Sequence, residues 1–292
     1  MKKINIFCFG FGQVAKYFIY NLSKNYHVNF AVTSREISKK KKIFGINYKN
    51  YHFLDNNFDK IILSEIKNYD HILLSIPPKN GEDIVFKNFR KILEKIKIKW
   101  ITYLSATSVY GDHQGNWVNE ESKVNPSTDN GKSRLSAEKV WIEFSKDKKI
   151  PLQVFRLSGI YSDENNIFKK IQADTQNIVN KPNNFFSRIH VEDIANILKV
   201  SLQKKINIPG EIFNLSDDYP CSNIEVANYA YNLMGVEKPK MIDVNKIKNE
   251  MLKNFYKESK KVSNKKIKEI FSYKFKYPTY KEGLRKIFDN AI

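Results

Sequence analysis

The sequence predicts an α/β fold: a doubly wound parallel sheet in its first part, followed by a smaller C-terminal lobe. Three observations carry this. Short apolar runs alternate with longer amphipathic ones, the pattern of parallel strands joined by covering helices. Gly10 and Gly12 stand at the first junction between such a run and a helix. Past Ser162 the rhythm weakens, which divides the chain into segments 1–162 and 163–292, the second partly interleaved with the first.

The elements follow in order. Ile4–Phe9 reads as a strand, Gln13–Asn25 as a helix and Val28–Thr33 as a second strand. His52–Leu54 is a short third strand, and His71–Ser75, Trp100–Ser105 and Leu152–Leu157 continue the sheet. Helices fit Lys60–Asn68, Asp83–Lys95 and Ser133–Lys146, where Glu138 and Glu143 read as surface carboxylates. Beyond Ser162, helices fit Ile167–Gln172, Val191–Gln203, Asn223–Met234 and Val244–Phe255, with an extended piece at Ile212–Leu215. The spacing of Val262, Ile267 and Ile270 gives the Lys-rich segment 257–268 an amphipathic, folded character.

Composition limits the partners. The chain has 292 residues, 41% hydrophobic and 28% charged, enough apolar surface to offset chain entropy. Its 50 Lys and Arg against 31 Asp and Glu leave a net charge of +19. That excess is scattered, with no basic stripe or groove-reading motif, so no nucleic-acid partner is expected. The densest block, Lys39–Lys42, reads as a solvated helix face. Cys8 lies in an apolar strand and Cys221 stands far from it, which excludes a disulfide framework. His27, His52, His71 and His113 lack ligand spacing, so no metal site is expected. No apolar run approaches the ~18 residues of a membrane span. The N-terminal apolar stretch meets glycine, Gln13 and Lys16 before a signal-peptide core develops. A soluble, cytoplasmic protein is the expectation.

Gly10-Phe11-Gly12-Gln13-Val14-Ala15 matches G-x-G-x-x-(G/A) directly after a strand and at the opening of a helix. In that setting Gly10 permits the tight turn, Gly12 lets backbone approach a pyrophosphate, and the N–H groups near Gln13 and Val14 face the anion. This is a Rossmann-like dinucleotide loop. At the end of the second strand, where an NAD site holds the ribose with an acid, stand Thr33-Ser34-Arg35. Ser34 can donate to a 2′-phosphate and Arg35 can fork onto it, which favours NADP, with NAD second. Otherwise Arg35 is simply an exposed residue.

With these residues the sequence resembles the extended short-chain dehydrogenase/reductases, the NAD(P)-dependent epimerase/dehydratase group, in an atypical branch with a GxGxxG/A loop. The resemblance runs through Leu54-Asp55, Ser75-Ile76-Pro77, Leu104 to Asp112, Ser133 to Glu138, Arg156 to Tyr161 and Arg188 to Asp193. It implies that Asp55 meets the adenine, that Ser75 and Ile76 lie along the cofactor, and that Arg188 and His190 face a substrate, often a nucleotide-sugar. It also implies a homodimer through a two-helix face. On the bland alternative, Asp193 only begins a helix and His190 only packs.

The family's catalytic Tyr-x-x-x-Lys pair is replaced. The tyrosine slot is Asn130, the lysine slot Arg134 and the Ser/Thr slot Ala106, and no tyrosine lies between Tyr110 and Tyr161. Neither Asn130 nor Arg134 accepts a proton in turnover, although Arg134 can still hold ribose or phosphate. Ser105, Thr107, Ser108 and Tyr110 remain as hydroxyls near the expected nicotinamide. Two functions follow: an NADP-dependent oxidoreductase or epimerase whose proton path runs through Tyr110 or Lys132 and water, or a non-catalytic NADP-binding sensor or interaction module.

Overall fold

A computed structural model describes residues 1–37, 39–173, 178–181, 183–204, 208–247, 253 and 256–291. The chain forms two compact units. The first comprises Met1–Ala106, Asp129–Arg156 and Ile194–Phe213; the second comprises Thr107–Thr128, Leu157–Asp193 and Asn214–Ile292. Residues 107–128 and 157–162, on the N-terminal side of the expected boundary, therefore belong to the second unit, and 194–213, beyond it, to the first.

The first unit is built on a nine-stranded sheet. Its strands are β1 (Lys3–Phe9), β2 (His27–Ser34), β3 (Lys39–Ile43), β4 (Ile46–Leu54), β5 (Asn57–Phe58), β6 (His71–Leu74), β7 (Trp100–Ala106), β8 (Leu152–Leu157) and β9 (Glu211–Leu215). Their order is β9-β8-β7-β6-β1-β2-β4-β3, with β5 paired to β4. Pairs β2/β1, β1/β6, β6/β7 and β2/β4 are parallel, the doubly wound arrangement expected. Strand order reverses at β1, so the crevice beyond its C-terminal end is where ligands bind in such sheets.

Helix α1 (Gln13–Ser23) lays Val14, Ala15, Phe18, Ile19 and Leu22 on the sheet, an i, i+4, i+8 stripe. Helix α2 (Ile62–Glu65) is a single turn continued by a 3₁₀ turn, Ile66–Asn68, shorter than the predicted helix. Helix α3 (Ile84–Leu93) is capped by Asp83, whose carboxylate accepts from the Val85 and Phe86 amides. Helix α4 (Asp129–Lys148) starts four residues earlier than periodicity predicts and buries Ala137, Trp141 and Phe144.

The Lys39–Lys42 expectation is overturned: the lysines form edge strand β3, antiparallel to β4. Phe44 and Gly45 both take positive φ, 52° and 76°, and close the two-residue hairpin from Ile43 to Ile46. A row of lysines suits an edge because it resists pairing with another strand. The hairpin also extends the third strand to nine residues.

In the second unit, Gly159–Tyr161 pairs in parallel with Arg188–His190, Val179–Asn180 with Ile242–Asp243, and Trp117–Val118 with Lys261–Val262. Its helices are α5 (Ile167–Gln172), the N-terminal turn of α6 (Val191–Lys204), α7 (Asn223–Met234), α8 (Lys265–Phe271) and α9 (Tyr280–Ala291). Tyr161, Phe168, Val226, Leu284 and Ile287 form a core. Of the helix expected over 244–255, Val244–Lys246 is a 3₁₀ turn, and 248–252 and 254–255 lie outside the described residues. Val262 and Ile267 are buried as expected, but Ile270 is exposed and Phe271, four residues after Ile267, takes the inward position. Among the described residues no helix is long and apolar enough to cross a membrane.

Candidate functional site

The glycine loop is held by the strands on either side of β1. Gly10 takes φ +89°, and a Cβ there would lie 2.8 Å from Ser75 Oγ, so only glycine fits. Its amide donates to Thr33 Oγ1 of β2 at 3.0 Å. Ser75, at the end of β6, donates its hydroxyl to the carbonyls of Phe9 and Gly10 at 2.9 and 3.2 Å. Ile76 covers the other flank, 3.0 Å from that same Cβ position. Ser75 and Ile76 thus shape the loop from beneath.

Gly12 is different. It is the N-cap of α1 in ordinary extended backbone, and a Cβ built on it meets nothing within 4 Å. Gly12 brings no side chain to cap this helix end, and no acid stands in its first turn. Gln13 and Val14 begin the helix there, while Val14 and Ala15 press it onto the sheet. The arrangement leaves room for an oxyanion against the positive end of an eleven-residue helix.

At the end of β2, Ser34 Oγ accepts the Glu36 amide at 3.1 Å, which leaves its own proton for another acceptor. Arg35 is exposed. Glu36, which the motif reading passed over, pairs with Lys41 and lies 3.7 Å from Lys39. The hydrogen bond and charge of Lys41 hold its carboxyl below the usual range. Its negative charge is therefore engaged by the hairpin lysines. Asp55 follows β4 at φ +50°, in the turn to β5, with its carboxylate 3.5 Å from Lys87 Nζ.

Beyond β7 the first unit holds a buried ionic knot. Ser105 donates to Glu138 Oε1 at 2.5 Å, and Arg156 reaches Glu138 through Nε, at 3.1 and 3.2 Å, and Nη2, at 2.8 Å. Glu138 is 1% exposed, which corrects its reading as a surface carboxylate: α4 turns it inward toward Arg156 of β8. Glu143 is exposed as expected. Arg134, in the lysine slot, donates Nη1 to the Leu104 carbonyl at 2.6 Å and ties α4 to β7. Asn130 and Lys132 are exposed. Both line a cleft of about 650 Å³ at the start of α4.

The second unit rearranges the remaining expectations. Thr107 and Ser108 are half-buried in a 3₁₀ turn with Tyr110. Tyr110 is fully buried, its hydroxyl donating to Asn214 Oδ1 at 2.7 Å. That hydroxyl is engaged by Asn214 rather than left open. His190 is likewise fully buried, against Tyr161 and Tyr277 at ring distances of 5.1 and 4.2 Å. Its Nδ1 accepts the Glu192 amide at 3.2 Å, and burial pushes its pKa down to about 4, so it is neutral. This burial accords with the packing alternative. Asp193 does more than begin a helix: it accepts from Tyr273 Oη and from the Lys276 and Tyr277 amides. Arg188 spends its guanidinium on the carbonyls of Phe186 and Cys221 and on Asn223. Among the described residues no cluster of His, Cys, Asp or Glu could hold a metal ion.

Neither protein-family models nor curated protein sequences match the chain. Solved structures do. A functionally unknown conserved protein from Silicibacter pomeroyi is similar over 98% of both chains, at 30% identity and a TM-score of 0.86. UDP-glucuronic acid 4-epimerase from Bacillus cereus, solved with NAD, matches at 16% identity and a TM-score of 0.79, over 98% of this chain and 96% of that one. dTDP-glucose 4,6-dehydratase from Bacillus anthracis, also with NAD, matches at 18% identity and 0.75, with 98% and 96% covered.

Proposed function

Since the chain belongs to one family with the conserved Silicibacter pomeroyi protein and has the extended short-chain dehydrogenase/reductase fold of the epimerases and dehydratases, we propose that it is an NADP-dependent oxidoreductase or epimerase-like protein acting on a small hydroxyl or carbonyl compound of the nucleotide-sugar class. The observation that carries this is the open space over Gly12, which has no side chain, at the N-terminus of α1. Gly12, Gln13 and Val14 present backbone N–H groups to the pyrophosphate, and Ser34 and Arg35 receive the 2′-phosphate. Asp55 takes the adenine side, and Ile76 lies along the cofactor. NAD accompanies the Bacillus enzymes in their structures, and Arg35 is what turns the preference here toward NADP.

When bound, the cofactor supplies a donor or acceptor of hydride. This chain's residues handle the proton differently from the Tyr-x-x-x-Lys relatives: Arg134 is a fixed cation and Asn130 a neutral amide. With Tyr110 buried, Thr107, Ser108 and Lys132 are the groups left for orientation and proton traffic. A second reading, an NADP-binding protein without turnover, draws on that same burial of Tyr110.

Calorimetry with NADPH and NADH tests the cofactor assignment. NADPH binds more tightly, Arg35→Glu reverses the order, and Gly12→Val weakens both by at least ~10-fold, about 1.4 kcal/mol, without loss of fold. Equal affinities in the wild type, or an order unmoved by Arg35→Glu, refute NADP; unchanged binding in Gly12→Val refutes the loop. NADPH consumption across nucleotide-sugars and simple carbonyls separates enzyme from binding protein.

A further inference from the structure

The cleft at the start of α4 belongs to the first unit alone and has features the dinucleotide loop does not use. One wall is the segment after β6, the other the first turns of α4. The first wall is rigid. Asn80 and Gly81 take successive positive φ angles of 52° and 80°, and Lys79 and Glu82 exchange both backbone hydrogen bonds at 3.0 Å across them. This is an Asn-Gly turn of the tight hairpin kind. Its Gly81 amide donates to Ser133 Oγ of α4 at 2.9 Å, which pins the two walls together. Lys79 and Lys132 thus line one cleft from opposite walls.

The charges around the cleft are unequally satisfied. Glu82 is paired with Lys87 at 2.9 Å, and the Asp83 carboxylate is consumed by the α3 amides and by Trp141 Nε1. Lys79 and Lys132 have no carboxylate within 4.0 Å among the described residues, and the one acid in the lining is Asp129, in the first turn of α4. Asn80, Asn130 and Ser136 add neutral hydrogen-bonding groups. Two lysines lining one cleft give it a positive potential that favours an anion. At about 650 Å³ the space suits a small phosphorylated molecule, within the range of ordinary ligand pockets.

We propose that this cleft is an oxyanion subsite, in which the Lys79 and Lys132 ammonium groups clamp the phosphate of a phosphorylated small molecule across the rigid Asn80-Gly81 turn. As a subsite for substrate it rests on the enzyme reading above; as an anion site it stands on the cleft itself. The Ser133–Gly81 bond keeps the two backbone walls together, and Asp129 lowers the affinity for an anion.

The test is calorimetric titration of the full chain with inorganic phosphate, with glucose 1-phosphate and with acetate. Phosphate and glucose 1-phosphate bind saturably and acetate more weakly. Lys79→Gln and Lys132→Gln each weaken phosphate by about fivefold, the upper reach of one exposed charge pair, and the double variant abolishes it. Asp129→Asn strengthens it. Absence of saturable phosphate binding by the wild type, wild-type affinity in the double variant, or acetate bound as tightly as phosphate overturns the proposal. The NADPH titration above fails or succeeds on Gly12 and Arg35 alone, so the two readings fall separately.

Discussion

Replacing Glu138 by glutamine tests whether the knot under β7 is an ion pair in need of both partners. The pair is almost wholly buried, with side chains 2% and 4% exposed, and four hydrogen bonds converge on the carboxylate. In Glu138→Gln one oxygen survives and can still accept, but the amide nitrogen faces a guanidinium that only donates. The buried guanidinium of Arg156 loses the carboxylate charge that faces it, which costs about 3–5 kcal/mol. For a unit of this size that lowers the melting temperature by ~10 °C. Removing both charges with apolar residues of similar volume, Glu138→Leu with Arg156→Met, is far less damaging because no charge remains to be desolvated. The leftover cost is the Ser105 hydroxyl, about 1–3 kcal/mol, which Ser105→Ala removes. Tryptophan emission in urea reads the first unit: Trp100 and Trp141 are 2% and 0% exposed there, whereas Trp117 is already 58% exposed. A Glu138→Gln loss below ~1 kcal/mol, or a double variant weaker than both singles, refutes the argument.

Two other outcomes follow from the second unit. His190 is held neutral by burial, with its pKa lowered from 6.5 to about 4, so the unfolded chain binds more protons between those values. Its contribution is present above pH 6.5 and lost as pH falls toward 4, by up to about 3 kcal/mol. Asp193 and Asp217, raised by burial, oppose this, so the reading is the difference between wild type and His190→Phe in denaturant melts, which keeps the ring between Tyr161 and Tyr277. A difference that does not change over that range contradicts the assignment. Tyr110→Phe removes a buried donor from Asn214 and costs about 1–3 kcal/mol of stability, with turnover on any substrate found changing by less than ~10-fold. A larger loss of turnover at unchanged stability would restore Tyr110 as a chemical group.

The parts of the molecule legible in the sequence are those whose cause is local. Gly10 and Gly12 identify the loop because the turn, the strand before it and the helix after it lie within one short segment, and the α1 stripe from Val14 to Leu22 repeats at helical spacing. The Lys39–Lys42 strand was not legible, since four lysines carry no hydrophobic period to separate helix from strand. Its turn, Phe44-Gly45, also lacks the Asn or Asp that ordinarily announces a tight hairpin.

The substrate side escaped for a different reason. Glu138 looks like any helix carboxylate until Arg156 arrives from another strand, and Tyr110 looks like a free hydroxyl until Asn214 arrives from a segment 104 residues away. A motif records which residue types occur and says nothing about which of their polar atoms are already spent. That distinction decides the chemistry here. Gly12 presents an unfilled space, while Tyr110, His190 and Arg188 present side chains buried or bonded within their own unit. Lys132 is the exposed cation among the residues expected to act, and it shares its cleft with Lys79, a residue no motif marks. If this protein turns over a substrate, the charge that receives it is therefore to be sought first on those two lysines, and a Lys132→Gln variant that raises KM with kcat retained would place Lys132 in binding rather than in proton transfer.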